Sequence, residues 1–142
     1  MKIGQLLQDK NHDLFKIKPD DCIADAATAL TFNKIGALLV EDEFGNIVGI
    51  LSERDIVSGM GPHGADLHDV AVSELMTAEL IRCSPDDDVN DAMAMMTDRR
   101  IRHLPVFDGD TLSGFISIGD LVKFRMMEVQ AEAEAMRQYI AS

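Results

Sequence analysis

The sequence has few cysteines and no long apolar segment, and each shortage excludes a class of protein. No run of about eighteen apolar residues occurs in the chain, so we predict no transmembrane helix. The first residues lack a long apolar run and a small-residue cleavage site, and we expect no secretory signal. The two cysteines, Cys22 and Cys83, cannot make a disulfide framework. We expect them to be isolated reduced thiols in a cytoplasmic protein.

Basic residues are also scarce. Thirteen Lys and Arg stand against twenty-five Asp and Glu, which gives a net charge of −12. Nucleic-acid binding normally needs a basic face, so we predict no nucleic-acid partner. The same negative field opposes any anionic ligand, which would therefore require a local cationic pocket.

The sequence lacks the common motifs of catalysis and metal binding. Its four histidines show no metal-ligand spacing, and no Gly-rich phosphate loop or nucleophile elbow is present. The segment "SPDDDVND" at 84–91 lacks the Gly and the distal Glu that an EF-hand requires. We predict that the protein holds no metal and is not an enzyme.

The chain is a tandem duplication. Residues 14–43 align with 80–109 at an offset of 66, and "GILSERDIV" at 49–57 aligns with "GFISIGDLV" at 114–122 at an offset of 65. Self-similarity over so much chain indicates two copies of one structural unit. We place the first repeat at 1–62, the second at 63–126, and a helical tail at 127–142.

Each copy has the same local pattern, which predicts the order strand, helix, strand, strand, helix in an α+β protein. The strands are "GALLV" and "IVGIL" in the first copy, and "RHLPV" and "LSGFI" in the second. The Gly-rich stretch 59–69 is predicted to connect the repeats. The apolar positions with helical spacing are Ile23, Ala26, Ala27 and Leu30 in one copy and Val89, Ala92, Met93 and Met96 in the other.

The repeated Ser-x-x-Asp pattern, Ser52 to Asp55 and Ser117 to Asp120, has two interpretations. It is a capping box, in which the Ser hydroxyl accepts from a first-turn amide and the Asp carboxylate bonds back to the backbone. It also suits a sugar phosphate, because a helix N-terminus attracts phosphate and a carboxylate matches a ribose diol. Duplication at the same point of the unit favours ligand binding, and both interpretations can hold in one protein.

The chain resembles a tandem pair of cystathionine β-synthase (CBS) domains, also called a Bateman module. The resemblance covers about 1–126 and rests on the repeated Gly-to-Asp motif, the "RHLPV" strand, and the lead-ins "IGQLL" at 3–7 and "VSELMT" at 72–77. It implies two pseudo-symmetric β-α-β-β-α repeats packed sheet to sheet, followed here by a C-terminal helix. It also implies adenine nucleotides bound in clefts between the repeats.

The resemblance implies two candidate pockets. Each combines the Ser and Asp of one repeat with the strand start of the other. In the first pocket, Ser117, Gly119 and Asp120 would face Ile35, Gly36 and Ala37. In the second pocket, Ser52, Arg54 and Asp55 would face Ile101, Arg102 and His103.

The Ser52 pocket is the preferred site, because cations are concentrated there. Arg54 occupies a position from which the family often reaches phosphate, whereas Gly119 offers only backbone. Arg102 and His103 belong to "DRRIRH", the densest cationic run of the chain, and we expect them to serve a phosphate. Arg99 and Arg100, at the helix end, are expected to complement the helix dipole.

The C-terminal tail has a heptad-like apolar stripe surrounded by helix formers. It predicts either contact with a second subunit or a helix that lies back over its own module. The stripe contains Val122, Met126, Val129, Ala133, Met136 and Ile140.

The resulting functional prediction is a regulatory module that binds AMP, ADP, ATP or NAD(H) and reports ligand level to an unidentified target protein. The resemblance implies a homodimer, and we expect no membrane partner and no catalytic cofactor. The alternative is a purely structural dimerisation module. An enzyme related to inosine monophosphate dehydrogenase is disfavoured, because nothing here resembles its catalytic barrel or cysteine loop.

Overall fold

The computed structural model describes residues 1–9 and 14–141, with only the backbone described at residue 9. These residues form a mixed α+β structure, which confirms the predicted class. None of the described helices is both long enough and apolar enough to cross a lipid bilayer. The elements are α1 (Ile3–Asp9), β1 (Lys16–Ile17), α2 (Ile23–Asn33), β2 (Ala37–Glu41), β3 (Ile47–Ser52), α3 (Glu53–His63), a 3-10 helix (Gly64–Asp69), α4 (Val72–Leu75), α5 (Val89–Arg99), β4 (His103–Asp108), β5 (Thr111–Ser117) and α6 (Ile118–Ala141).

The described residues form two compact units that interleave the sequence repeats. The first unit contains 14–80, and the second unit combines 1–9 with 81–141. The predicted boundaries at 62 and 126 follow the sequence repeat, whereas the units follow packing. Helix α1 buries Ile3, Leu6 and Leu7 in the core of the second unit, and α4 buries Val72 in the core of the first. Each lead-in segment therefore packs against the other repeat's strands and helices.

The first unit is built on a three-stranded sheet of order β1-β2-β3. Strand β1 is parallel to β2, and β2 forms an antiparallel hairpin with β3 in which Ala37 lies opposite Ser52. Helix α2 covers the sheet, because its spacing of Ile23, Ala26 and Leu30 places all three in the core. The prediction that Ala27 shares this buried face is wrong, since Ala27 is exposed.

The second unit has only two regular strands, β4 and β5, so the predicted first strand of this repeat is wrong. A single parallel bridge between Cys83 and Val106 replaces it. The reason lies in Pro105, which aligns with Leu39 of the first repeat. The Leu39 amide donates to the carbonyl of Phe15 over 3.1 Å, but proline has no amide hydrogen with which to make the equivalent bond.

The core of the second unit combines apolar side chains of α1, α5 and α6 with those of the β4–β5 hairpin. Met93, predicted on the buried helical face, is only partly buried. The buried members are Ile3, Leu6, Leu7, Cys83, Val89, Ala92, Met96, Leu104, Val106, Ile116 and Leu121.

The Gly-rich stretch predicted as a connector is mostly helical. Helix α3 continues to His63, and the 3-10 helix follows directly. Gly59 is buried in α3, where a Cβ atom would lie 2.7 Å from Cδ1 of Leu75. This glycine therefore permits close packing between α3 and α4 instead of marking a loop.

Helix α6 runs for 24 residues without a break at the predicted boundary between the second repeat and the tail. Its first turns are anchored by Leu121, which is fully buried in the core. Every described residue from 129 to 141 is exposed, so the unit that contains α6 does not bury this half of the helix. The last tail residue, at position 142, lies outside the described part of the chain.

Candidate functional site

Helix α3 begins with a complete capping box. The Asp55 amide donates to Oγ of Ser52 over 3.2 Å, and the Ser52 amide donates to Oδ2 of Asp55 over 2.9 Å. Ser52 is extended, with φ −106° and ψ 164°, because it ends β3 while its side chain caps the helix. Both side chains are half-buried at the junction of strand and helix.

Helix α6 begins in the same way. The Asp120 amide donates to Oγ of Ser117 over 3.1 Å, and the Ser117 amide donates to Oδ2 of Asp120 over 2.8 Å. The structural interpretation of both Ser-x-x-Asp motifs is therefore confirmed. A Ser hydroxyl that accepts one amide keeps its own hydrogen for donation, and a carboxylate oxygen has two lone pairs. The caps are thus compatible with a ligand.

A further backbone bond joins each helix start to the beginning of the neighbouring strand. The Glu53 amide donates to the carbonyl of Gly36 over 3.0 Å, and the Ile118 amide donates to the carbonyl of Arg102 over 2.8 Å. Two first-turn amides of each helix are therefore bonded to protein acceptors. An anion at this place would meet the intervening amide, of Arg54 or Gly119, together with the side chains around it.

The structure brings the predicted site residues together within each unit. In the first unit, Ala37 pairs with Ser52, and Gly36 bonds to the first turn of α3. In the second unit, His103 pairs with Ser117, and Arg102 bonds to the first turn of α6. Ile35 and Ile101 lie two residues before β2 and β4, and both are partly buried against the cores of their units. The predicted combination of each helix start with the strand of the other repeat stays a prediction.

The sequence analysis missed Thr77, whose hydroxyl donates to Oδ1 of Asp55 over 3.3 Å. Thr77 is held there by a two-bond bridge to Ile50 of β3, with N···O distances of 3.0 and 2.8 Å. Asp55 is thus oriented through both carboxylate oxygens. The repeat of the lead-in "VSELMT" was visible in the sequence, but its contact with Asp55 depends on tertiary packing.

The glycine of the repeated motif has a packing role that the sequence analysis did not predict. A Cβ atom on Gly49 would lie 2.7 Å from Sδ of Met76, and one on Gly114 would lie 2.6 Å from Cδ2 of Leu7. In both units a lead-in residue therefore crosses directly over the strand at the glycine. A buried glycine inside a strand signals such a close approach.

The predicted phosphate-binding cations are divided unequally between the two units, since Arg54 lies in the first turn of α3 whereas Arg102 and His103 adjoin the start of α6. Arg54 and Arg102 are exposed, and the half-buried His103 ring lies 5.6 Å from the ring of Phe115, centroid to centroid. Gly119 is exposed, and a Cβ atom there would meet nothing closer than the Ser117 hydroxyl, at 3.6 Å. The absence of a side chain at 119 is therefore not a steric requirement.

Arg99 and Arg100 terminate α5, as predicted. Arg99 is its last residue, and Arg100 is the C-cap in a left-handed conformation with φ 55°. The Arg100 amide donates to the carbonyls of Met96 and Thr97. Lys34 makes the corresponding cap of α2, with φ 54°, so a long basic residue ends this helix in both repeats.

The thiols and metal-ligating side chains form no reactive cluster in the described part of the chain. Cys22 and Cys83 are both free, as expected. Burial raises the pKa of the Cys83 thiol to about 12, with a further contribution from the charge of Asp87. Among residues 1–9 and 14–141, no group of three or more His, Cys, Asp or Glu could hold a metal ion.

These features define a tandem module. Each of its two units joins a strand start to a helix start through the same backbone bond and the same hydroxyl–carboxylate cap. The chain belongs to the CBS domain family, whose family model matches residues 5–61 and 72–126. This confirms the resemblance seen in the sequence.

The chain is similar to proteins of known structure and of known sequence. The chain is 40% identical to a CBS-domain-containing protein from Agrobacterium tumefaciens, with a TM-score of 0.85 over 87% of this chain and 92% of that one. It is 36% identical over 125 residues to the mitochondrial CBS domain-containing protein CBSX3 of Arabidopsis thaliana, a match of 85% of this chain and 61% of the plant protein. The chain thus spans less than two thirds of the length of that relative.

A more distant neighbour carries ligands. The CBS domain pair of protein MJ0100, in complex with 5-methylthioadenosine and S-adenosyl-L-methionine, is 22% identical to this chain. The TM-score is 0.77, and the match covers 90% of this chain and 98% of that one. At this identity the likeness demonstrates a shared fold.

Proposed function

We propose that the chain is a regulatory module that binds an adenine nucleotide at the starts of α3 and α6. The observation that carries the proposal is the duplicated junction of a strand start, a Ser hydroxyl and an Asp carboxylate at one helix entrance. A single capping box needs no ligand. Here there are two capping boxes, and at each one the first amide of the helix also bonds to the carbonyl just before the neighbouring strand. This repetition supports a ligand site that was duplicated with the fold.

We propose that the carboxylates of Asp55 and Asp120 bind the ribose. Asp55 uses one oxygen for the Ser52 amide and the other for the Thr77 hydroxyl, which fixes the plane of the carboxylate. The lone pairs that remain can accept hydrogen bonds from the two vicinal hydroxyls of a ribose. Both ligands named for MJ0100 contain adenosine, and this supports the same class of ligand here.

The phosphate is assigned to the Ser hydroxyls and the neighbouring cations. In a chain of net charge −12, an anionic ligand needs local positive groups. Arg54 is exposed in the first turn of α3, whereas the equivalent Gly119 of α6 supplies no charge. The proposed pairing of each helix start with the strand of the other repeat would add the exposed Arg102 to the Ser52 site. We therefore expect the Ser52 site to prefer ligands with more than one phosphate and the Ser117 site to prefer AMP or another weakly charged adenosine compound.

We propose that nucleotide binding is passed on to a target protein through a change in the populations of the module's conformations. A nucleotide that binds one arrangement of the module more tightly than another shifts the population toward that arrangement, and a bound target protein would respond to the shift. We propose a homodimer that is not catalytic and takes AMP, ADP, ATP or NAD(H). Cytoplasmic localisation stays a prediction.

Calorimetry with AMP, ATP, NAD, NADH and S-adenosylmethionine tests the proposal. At least one compound should bind and raise the melting temperature, because a ligand of the folded state stabilises it. Asp55→Asn or Asp120→Asn should weaken that binding about tenfold or more, since each removes a charged acceptor. Asp55→Ala and Asp120→Ala should lose it.

The matched control is Asp88→Ala. Asp88 caps α5 by accepting from the Asn90 amide over 2.8 Å, and its loss costs stability as a cap loss does. Asp88 belongs to neither candidate site, so its removal should leave nucleotide affinity unchanged. If the variants at Asp55, Asp120 and Asp88 lose stability alike and none of the five compounds binds the native protein, the purely structural alternative is correct.

A further inference from the structure

Helix α6 presents an apolar stripe that its own unit leaves exposed. The stripe has alternating spacings of four and three residues, which place it along one side of a helix. Large apolar side chains on it remain accessible, with Val129 47% exposed, Met136 61% and Ile140 77%. The stripe consists of Val122, Met126, Val129, Ala133, Met136 and Ile140, all exposed.

We propose that the α6 helices of two copies of this chain pair in parallel and in register along the stripe. The inference goes beyond nucleotide binding, because it assigns the surface and the direction of self-association. In heptad notation, Met126, Ala133 and Ile140 occupy the a positions, and Val122, Val129 and Met136 occupy the d positions. Such a/d residues form the seam of a two-stranded coiled coil.

The charges beside the stripe favour a second copy in parallel orientation. In a parallel pair, each g residue faces the e residue five positions later in the partner. Glu132 then faces Arg137 of the partner subunit, twice by symmetry, and Arg125 faces Gln130 of the partner subunit. These contacts are attractive or neutral, so the flanks of the stripe are self-complementary.

The antiparallel arrangement brings like charges together. Full overlap of the stripe would place Val122 opposite Ile140 of the partner subunit. Glu132 would then face its own copy, and Lys123 would face Arg137 of the partner subunit twice. Like charges at these positions are destabilising. The same residues that stabilise the parallel pair therefore oppose the antiparallel one.

The folded unit compensates for the shortness of the stripe. Three heptads with an alanine in the seam would be marginal as an isolated helix pair, because nucleation is costly. Here Leu121 is buried and Phe124 packs against the core, so the helix is already formed at its start. A shallow depression along the same part of α6 is lined by Ile118, Val122, Met126 and Met127, with Lys123 and Gln130 beside them.

Sedimentation velocity on the full chain tests the surface. The native protein should be a dimer, and Ala133→Glu should weaken the dimer about tenfold or more by placing a charge in the seam. Ala131→Glu is the matched control, because position 131 lies on the opposite side of the helix and should leave the dimer unchanged. A monomeric native protein, or a dimer that Ala133→Glu leaves intact while circular dichroism stays native, overturns the proposal.

Disulfide capture tests the direction. In a Cys22→Ser background, Val129→Cys should cross-link to its own copy under oxidation, because equal d positions meet in a parallel pair within disulfide range. In an antiparallel pair, Val129 meets Ala133 instead. A mixture of Val129→Cys and Ala133→Cys proteins that yields mainly the mixed disulfide, with no Val129 self-disulfide, overturns the parallel arrangement.

A charge exchange provides the second readout of direction. Glu132→Lys should weaken the dimer about tenfold, because two attractive contacts become repulsive. Adding Arg137→Glu should restore the native association by exchanging the two charges. A dimer that Glu132→Lys leaves unchanged would contradict the parallel arrangement, because in the antiparallel pair residue 132 faces its own copy and the substitution only replaces one like-charge contact with another. None of these outcomes depends on whether nucleotide binds.

Discussion

Thr77 and Asp55 are joined by a hydrogen bond of 3.3 Å between the Thr77 hydroxyl and Oδ1 of Asp55, across 22 positions of the chain. The bond links the lead-in of the second repeat to the capping carboxylate of the first. Because the Ser52 amide holds the other carboxylate oxygen, the carboxylate is oriented before any ligand arrives. Preorganisation of this kind improves affinity by reducing the ordering cost of binding.

Thr77→Val should therefore weaken nucleotide binding at the Ser52 site by about fivefold, the effect of losing one hydrogen bond of about 1 kcal/mol. The loss of affinity should be larger for AMP than for 2′-deoxy-AMP, because both ribose hydroxyls of AMP can donate to the oriented Asp55 carboxylate. Calorimetry with both nucleotides measures the two affinities.

Thr28→Val is the control for that substitution. The Thr28 hydroxyl donates to the carbonyl of Ala24 within α2, a helix that carries none of the candidate site residues. Its removal should change neither affinity. Equal losses for AMP and 2′-deoxy-AMP in Thr77→Val would assign Thr77 a general structural role instead of an orienting one.

The different residues at 54 and 119 predict an exchange of ligand preference. Gly119→Arg should raise the affinity of the Ser117 site for ATP relative to AMP, because an added cation meets the additional phosphates and the position has room for a side chain. Arg54→Gly should lower the affinity of the Ser52 site for ATP relative to AMP. Competition titrations measure the ratio of ATP affinity to AMP affinity at each site. If this ratio is unchanged in both variants, residues 54 and 119 do not contribute to phosphate recognition.

The two motif glycines should differ in their tolerance of alanine. Gly49→Ala should destabilise by about 1–3 kcal/mol, because the new Cβ meets Met76 and also lies 3.0 Å from the Thr77 carbonyl, which is backbone. Gly114→Ala should cost less, since only the Leu7 side chain has to move. Urea denaturation gives both values.

Gly119→Ala supplies the reference for that comparison. Its Cβ has ordinary contact distances, and alanine is a better helix former than glycine, so the free energy of unfolding should stay equal or rise. A larger loss for Gly114→Ala than for Gly49→Ala would contradict the packing argument.

The buried Cys83 thiol predicts a loss of stability at alkaline pH. Its pKa rises from 9.0 to about 12 on folding, so the folded state holds the proton more tightly than the unfolded state. The contribution of the buried Cys83 thiol to the free energy of unfolding is therefore fully present below pH 9, and it decreases as the pH rises from 9 to 12. Within this pH range the free energy of unfolding falls by about 1.4 kcal/mol per pH unit.

Comparison with Cys83→Ala isolates the effect from other groups that titrate at high pH. The difference in free energy of unfolding between the native protein and the variant should be constant below pH 9 and shrink above it. Chemical denaturation at a series of pH values provides the measurement. A constant difference up to pH 11 would mean that Cys83 ionises as readily when folded as when unfolded.

The features that the sequence predicted correctly depend on residues close together in the chain. The capping boxes at Ser52 and Ser117 need only a hydroxyl, a carboxylate and a spacing of three residues, all visible in the motif. Helix α2 follows from the periodic burial of Ile23, Ala26 and Leu30. Proline at 105 also contained the information that a parallel partner strand would be weakened, although the repeat pattern concealed it.

The features that the sequence did not predict require distant segments to meet. Thr77 reaches Asp55, and Met76 lies over Gly49, because α4 packs into the unit of 14–80. The continuous α6 was divided at 126 because the repeat ended there, while no local signal breaks the helix.

By itself, the sequence determined that the fold is duplicated, where α3 and α6 begin and which side chains cap these two helices, because these properties arise from local hydrogen bonding and periodicity. Only the tertiary structure decided which lead-in packs with which unit, which hydroxyl orients Asp55 and how much of α6 stays exposed. Those outcomes depend on the burial of apolar side chains from remote segments, and one-dimensional spacing does not specify which segments are buried together.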